Sequence, residues 1–148
     1  MKKELIYELI TGLPVLLFLY TGLSKLLDFK NFEVSMLFQH LPASVTLPMT
    51  YLLPLSEIVV AALMIPDKSR LAGIYAFLIM MTAFTLYVGA ALLHLFPKAP
   101  CACGGMLKSL GWDQHFVFNV LFIILAVIAI RYYQDKRKLT TKQKPPEA

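Results

Sequence analysis

Apolar residues in this chain gather into four long runs separated by short polar connections. The first covers about residues 5–27, with Glu8 near its start and Pro14 inside it; the second covers 47–65 and is broken by Glu57 alone. In the third, 71–96, His94 is the sole ionisable side chain apart from tyrosines. The fourth has an uninterrupted core at 116–130, extended to about 112–133 by Trp112 on one side and Tyr132 and Tyr133 on the other, residues suited to interfacial anchoring. A span of about 20 residues crosses a hydrocarbon core of about 30 Å. Lipid offers no hydrogen bonds to exposed backbone, so each run is expected as a helix, and four helices with short connections as a bundle. The predicted fold is an all-α membrane protein: a four-transmembrane-helix bundle within residues 1–135, followed by a basic cytoplasmic tail, 136–148, expected to be disordered. No internal repeat or second domain is visible.

The connection between the first two runs, SKLLDFKNFEVSMLFQHLP, is more than a loop. Leu26, Phe29, Phe32 and Met36 recur at helical spacing with Lys25, Asp28, Glu33 and Gln39 between them. This is the pattern of an amphipathic helix on the outer membrane surface, read first as an interfacial anchor and alternatively as a roof over the bundle.

Composition agrees with a bilayer as solvent: 58% of residues are hydrophobic, 16% are charged and the mean hydropathy is +0.67. The net charge of +5 is distributed by loop. With both termini inside, the inner face holds Lys2, Lys3, Lys68, Arg70, Arg131, Lys136, Arg137, Lys138, Lys142 and Lys144, against Lys25, Lys30, Lys98 and Lys108 outside. That asymmetry predicts cytoplasmic termini. It also accounts for the basic balance without a nucleic-acid partner, the remaining contact of the tail being with anionic lipid. Glu4 and Glu8 interrupt the basic flank and no A-x-A-like site follows, so the first run is read as a retained helix rather than a cleaved signal.

On this topology the only two cysteines, Cys101 and Cys103 in PKAPCACGGMLKS, lie in the outer loop between the third and fourth helices, where disulfides persist. One intervening residue is a tight spacing for a bridge, so closure requires a turn at Ala102, with Gly104 and Gly105 giving the flanking backbone freedom. A strained bridge has a more oxidising potential and exchanges readily. Lys98, Lys108 and the N-terminus of a short helix in MLKSL favour the thiolate, and His115 is a candidate proton acceptor. Two other readings stay open. One is a static disulfide, which closes too short a loop to stabilise much. The other is Cu(I) bound by the two thiolates with help from His94, His115 and Met106; no dedicated metal set is otherwise recognisable.

Within the bilayer, Glu57 lies about ten residues, or about 15 Å, into the second run, near the midplane. A charge there is costly and marks either a functional group or a polar pair that fixes helix register. Pro54 can bend the helix beside it. Lys25, snorkelling from the first helix, is the candidate ion-pair partner. Tyr20, Thr85, Tyr87 and Asn119 on the other helices are candidates for hydrogen bonds to Glu57 or to a ligand head group. Glu57, Lys25, Tyr20 and Asn119 form the expected cofactor-binding set.

FLYTGLSKLLDF in the first helix, PLSEIVVAAL in the second and the C-x-C loop, in that order, resemble the MauE/DoxX group of small four-helix membrane proteins over about residues 5–133. The matching positions are Gly22, Lys25, Glu57, Cys101 and Cys103. The resemblance implies a role in periplasmic thiol-disulfide chemistry in the bacterial inner membrane, beside a thioredoxin-like or other disulfide-bearing partner. At the level of fold the arrangement is also similar to the quinone-coupled vitamin K epoxide reductase type, which implies quinone as a cofactor. Those enzymes relay electrons through two cysteine pairs and this chain has one. The expected function is thus a membrane thiol-disulfide exchange component, against a non-enzymatic scaffold subunit or a Cu(I)-handling protein.

Overall fold

A computed structural model of the chain describes residues 2–39, 41–95 and 109–143. It contains α1 (Lys2–Leu27), α2 (Phe29–Leu37), α3 (Ala43–Met64), α4 (Arg70–Leu92) and α5 (Trp112–Gln143), with no strand among the described residues. All but α2 are long and apolar enough to cross a membrane. The chain is a multi-pass membrane protein with a four-helix bundle. Neighbours run α1, α3, α4, α5 and back to α1, while the short α2 packs on α3 and α1.

The boundaries differ from the apolar runs for local reasons. The second span starts at Ala43, directly after Pro42, rather than at residue 47. Its added turn ends on Thr46, whose hydroxyl is satisfied by donating to the carbonyl of Pro42 (3.2 Å), and one turn on Thr50 donates to the carbonyl of Thr46 (2.8 Å). The longer start puts Glu57 about 21 Å along α3, past its middle rather than at it. The third span ends at Leu92, short of the expected residue 96. His94 takes a left-handed conformation (φ 56°), and the amides of His94 and Leu95 turn back to the carbonyls of Ala91 and Ala90. This is a helix stop that usually employs glycine, so sequence gave no warning of it. The fourth span continues to Gln143, well into the stretch expected to be disordered. RYYQDKRKL is composed mostly of acceptable helix formers without Gly or Pro, and a helix already nucleated in the bundle propagates through it.

The core centres on Phe18 and Phe77, whose rings lie 4.4 Å apart, with Met64, Ile74 and Ala61 also fully buried. Leu9, Leu13, Leu16, Leu52, Leu55 and Val59 face outward, as lipid permits. Burial of apolar area does not drive helices together in a bilayer, so close packing must. Two glycines permit it. A Cβ at Gly73 would stand 2.8 Å from the backbone nitrogen of Met64, and one at Gly22 would stand 2.9 Å from Ile58 Cγ1 and 3.2 Å from the carbonyl oxygen of Pro54.

The two ends of the bundle differ in chemistry. At the end where α1 begins, Arg70 reaches Glu8 (3.0 Å), Asp67 (3.0 Å) and the carbonyl of Ile65 (3.1 Å), and Tyr7 stacks on Tyr132 with centroids 4.8 Å apart. The opposite end is roofed by α2, which buries Phe32 and Met36. The expected stripe is thereby narrowed: Leu26 belongs to α1 and is 48% exposed, and Phe29 is only half-buried, in ring contact with Tyr51. Gln39, read as part of the polar face, is buried because the chain turns inward after α2.

Candidate functional site

Beneath the roof, a buried ion pair joins α1 to α3. Lys25 Nζ donates to both carboxylate oxygens of Glu57, at 2.5 and 2.7 Å, with the two side chains 3% and 2% exposed. Its existence follows from the close approach of α1 and α3 at Gly22, whose missing side chain lets the helix surfaces meet beside Glu57 Cβ. Phe32 of α2 closes over the ammonium, 5.9 Å from Nζ to the ring centroid. An isolated charge at this depth would cost several kcal/mol, and pairing offsets that cost only when geometry is good and both groups are hydrogen-bonded. Here both conditions are met, and the net charge of the pair is zero.

Beside the ion pair is a cavity of about 380 Å³. Helix α1 contributes Phe18, Thr21 and Lys25 to its wall, and α3 contributes Val45, Met49, Leu53 and Glu57 at successive i, i+4 positions. Met81, Phe84, Tyr87 and Val88 enclose it from α4, and Met36 and Gln39 from above. Helix α5 presents Trp112, His115, Phe118 and Asn119, one face of a helix whose start is fixed by a cap: Gly111 N–H donates to Gln114 Oε1 at 3.0 Å. The wall is predominantly apolar, with its polar groups confined to a few points. Gln39 Oε1 accepts a hydrogen bond from the Tyr87 hydroxyl, which ties the roof to α4.

His115 is 3% exposed and Asn119 8% exposed, both on the cavity wall. The Asn119 amide makes no hydrogen bond among the described residues. Three of the expected cofactor-binding residues, Lys25, Glu57 and Asn119, therefore meet at one cavity, together with His115. Tyr20 does not: it is 40% exposed and absent from the wall, because it stands about 200° round α1 from Phe18. Thr85 is buried but donates to the Met81 carbonyl at 2.6 Å. His94 is exposed at the end of α4. Cys101 and Cys103, and the turn expected at Ala102, lie outside the described residues, as do Lys98, Met106 and Lys108. The described chain leaves at Leu95 and returns at Ser109, next to the helix ends that carry Tyr87 and Trp112.

Gln39 and Trp112 also line the cavity, although nothing in their local sequence marks them for it. Trp112 reads as an interfacial anchor, yet it lines the cavity with its ring centroid 6.3 Å from that of Tyr87. Among the described residues no group of three His, Asp or Glu side chains converges in the manner of a metal site.

Searches of curated proteins and of solved structures return no match. Residues 3–132, which include α3, α4 and nearly all of α1 together with the membrane-spanning part of α5, match the family model described as methylamine utilisation protein MauE, and the chain belongs to that family.

Proposed function

We propose that this chain is the membrane component of a periplasmic thiol-disulfide exchange system in the bacterial inner membrane, with both termini cytoplasmic and the Cys101/Cys103 segment outside. The observation that carries the reading is the cavity with its few polar groups, lying at the end of the bundle where the chain departs toward Cys101 and returns from Cys103. An apolar cavity with few polar groups suits a carrier that takes electrons from a periplasmic dithiol into the bilayer.

The exchange balances as follows. A thiolate of Cys101 or Cys103 attacks a sulfur of the partner's disulfide, forming an interprotein S–S bond and expelling a partner thiolate; the second cysteine then attacks its neighbour's sulfur, releasing the reduced partner and closing Cys101 to Cys103. Two electrons have passed to the partner, which takes up two protons, and the reverse sequence oxidises it. The partner of this reading is a thioredoxin-like or other disulfide-bearing periplasmic protein. A quinone fits the cavity by chemistry, as an apolar ring with few acceptor oxygens facing few donors, and when bound supplies a two-electron, two-proton couple equal to that of a dithiol. Lys25 and Asn119 would hold it, Phe18 and Phe84 would exclude water, and His115 would hold a proton at the cavity wall.

Cys103→Ser, and separately Cys101→Ser, should trap a mixed disulfide with the partner, recovered in membranes after acid quench and alkylation and identified by mass spectrometry. A thioredoxin-fold protein bound in one single variant and absent from the double variant is the expected result. Absence of any adduct in both variants, with the wild-type pair permanently oxidised, would assign the cysteines to a static bridge and favour a scaffold role.

A further inference from the structure

The Asn119 amide and the Lys25 ammonium have donor capacity that the described residues leave unused. Asn119 is more than nine-tenths buried on the cavity wall and has no hydrogen-bond partner among the described residues. Lys25 carries three N–H groups and gives two hydrogen bonds, both to Glu57. Buried polar groups are seldom left in this condition without a ligand or water to complete them. The remaining wall, from Met49 and Leu53 across to Phe84, is apolar, and a space of this size with so few polar groups suits a hydrocarbon-bodied guest.

We infer that the cavity is a specific binding site for a lipid-soluble ring bearing carbonyl oxygens, a quinone in its redox-active form, with one oxygen accepting from Asn119 and another from Lys25. The ion pair contributes a donor without contributing net charge, so an uncharged guest meets no unbalanced field. An acyl chain would fill the volume but leave both donors unsatisfied, and an anionic head group would be repelled by Glu57 as strongly as attracted by Lys25. This inference rests on the electron-carrier half of the function proposed above and is independent of the thiol half.

Trp112 is the single tryptophan of the chain and lines the cavity, so it reports on occupancy directly. A short-chain benzoquinone added to the purified full-length protein in detergent is expected to quench its fluorescence saturably, with 1:1 stoichiometry. The Cys101→Ser/Cys103→Ser variant should behave as wild type, which separates failure of this site from failure of the thiol chemistry. Asn119→Leu, nearly isosteric and apolar, should raise the half-saturating concentration at least tenfold, whereas Leu23→Ala on the lipid-facing surface should leave it unchanged. Preservation of helicity by circular dichroism in Asn119→Leu guards against simple misfolding. Quenching that rises linearly without saturation, or is identical in Asn119→Leu and wild type, would mean that the quinone merely dissolves in the micelle. Saturable quenching abolished equally by added phospholipid and unaffected by Asn119→Leu would identify an acyl chain as the occupant. Either result overturns the inference.

Discussion

Lys25→Met is expected to destabilise the bundle by about 3–5 kcal/mol, because it leaves the Glu57 carboxylate buried without its cation. Glu57→Leu should be costly in the same way, though less so, since a lysine stem can withdraw along α1 toward the interface. The double variant, Lys25→Met with Glu57→Leu, should recover most of the loss, because two apolar side chains of similar volume need no partner. Unfolding in mixed micelles with increasing denaturing detergent gives the three free energies, and their double-mutant cycle isolates the coupling. A double variant as unstable as the sum of the singles would show that the pair is not the unit. The same double variant also separates stability from function: if it folds well yet traps no partner and binds no quinone, the pair is retained for chemistry rather than for holding α1 against α3. Glu57→Gln makes the milder comparison, keeping an acceptor for Lys25 while removing the balancing charge.

The second large effect concerns three glycines that look alike in sequence and differ in what surrounds them. Gly73→Ala should destabilise by about 1–3 kcal/mol, since the new methyl meets the backbone nitrogen of Met64 at 2.8 Å and only a shift of α3 against α4 can relieve it. Gly22→Ala should cost a similar or smaller amount, its nearest obstacle being a side-chain carbon of Ile58 at 2.9 Å, but it should also disturb the ion pair beside it. Gly12→Ala should do the opposite. Nothing lies within 4 Å of a Cβ there, and replacing a helical glycine gains up to about 1 kcal/mol. The same detergent titration ranks them, and equal effects at Gly12 and Gly73 would refute the packing account.

What sequence revealed, and what it concealed, follows from the physics of each signal. Glu57 and Lys25 stood out because a charge in an apolar run has few explanations, and the ion pair confirmed their geometric relation. Tyr20 is polar and of suitable depth, but depth along a helix says nothing of rotation about it. The phase set by Phe18, Thr21 and Lys25 turns Tyr20 outward. Hydropathy continues through Leu95 while α4 ends at Leu92 and the backbone turns at His94, a residue without the usual mark of a left-handed stop. By composition Gln39 belongs to the surface and Trp112 to the interface. Their place on the wall depends on tertiary closure of α2 and α5 over a cavity that no local pattern encodes.

The length of α5 has one further consequence, in electrostatic reach. At 1.5 Å per residue its 32 residues extend about 48 Å, against about 30 Å of hydrocarbon. Its start is fixed at the cavity, so the surplus emerges at the other end, beyond Tyr132 and Tyr133, where Lys136 lies 3.8 Å from Glu4 of α1. With Tyr133 at the membrane surface, the helix at Lys138 stands about 8 Å away and at Gln143 about 15 Å away. Physiological salt screens charges over about 8 Å. A helical extension thus grades its basic residues by height, so that a bilayer bounded at Tyr133 feels those near Arg131 and Lys136 and the aqueous phase receives the rest.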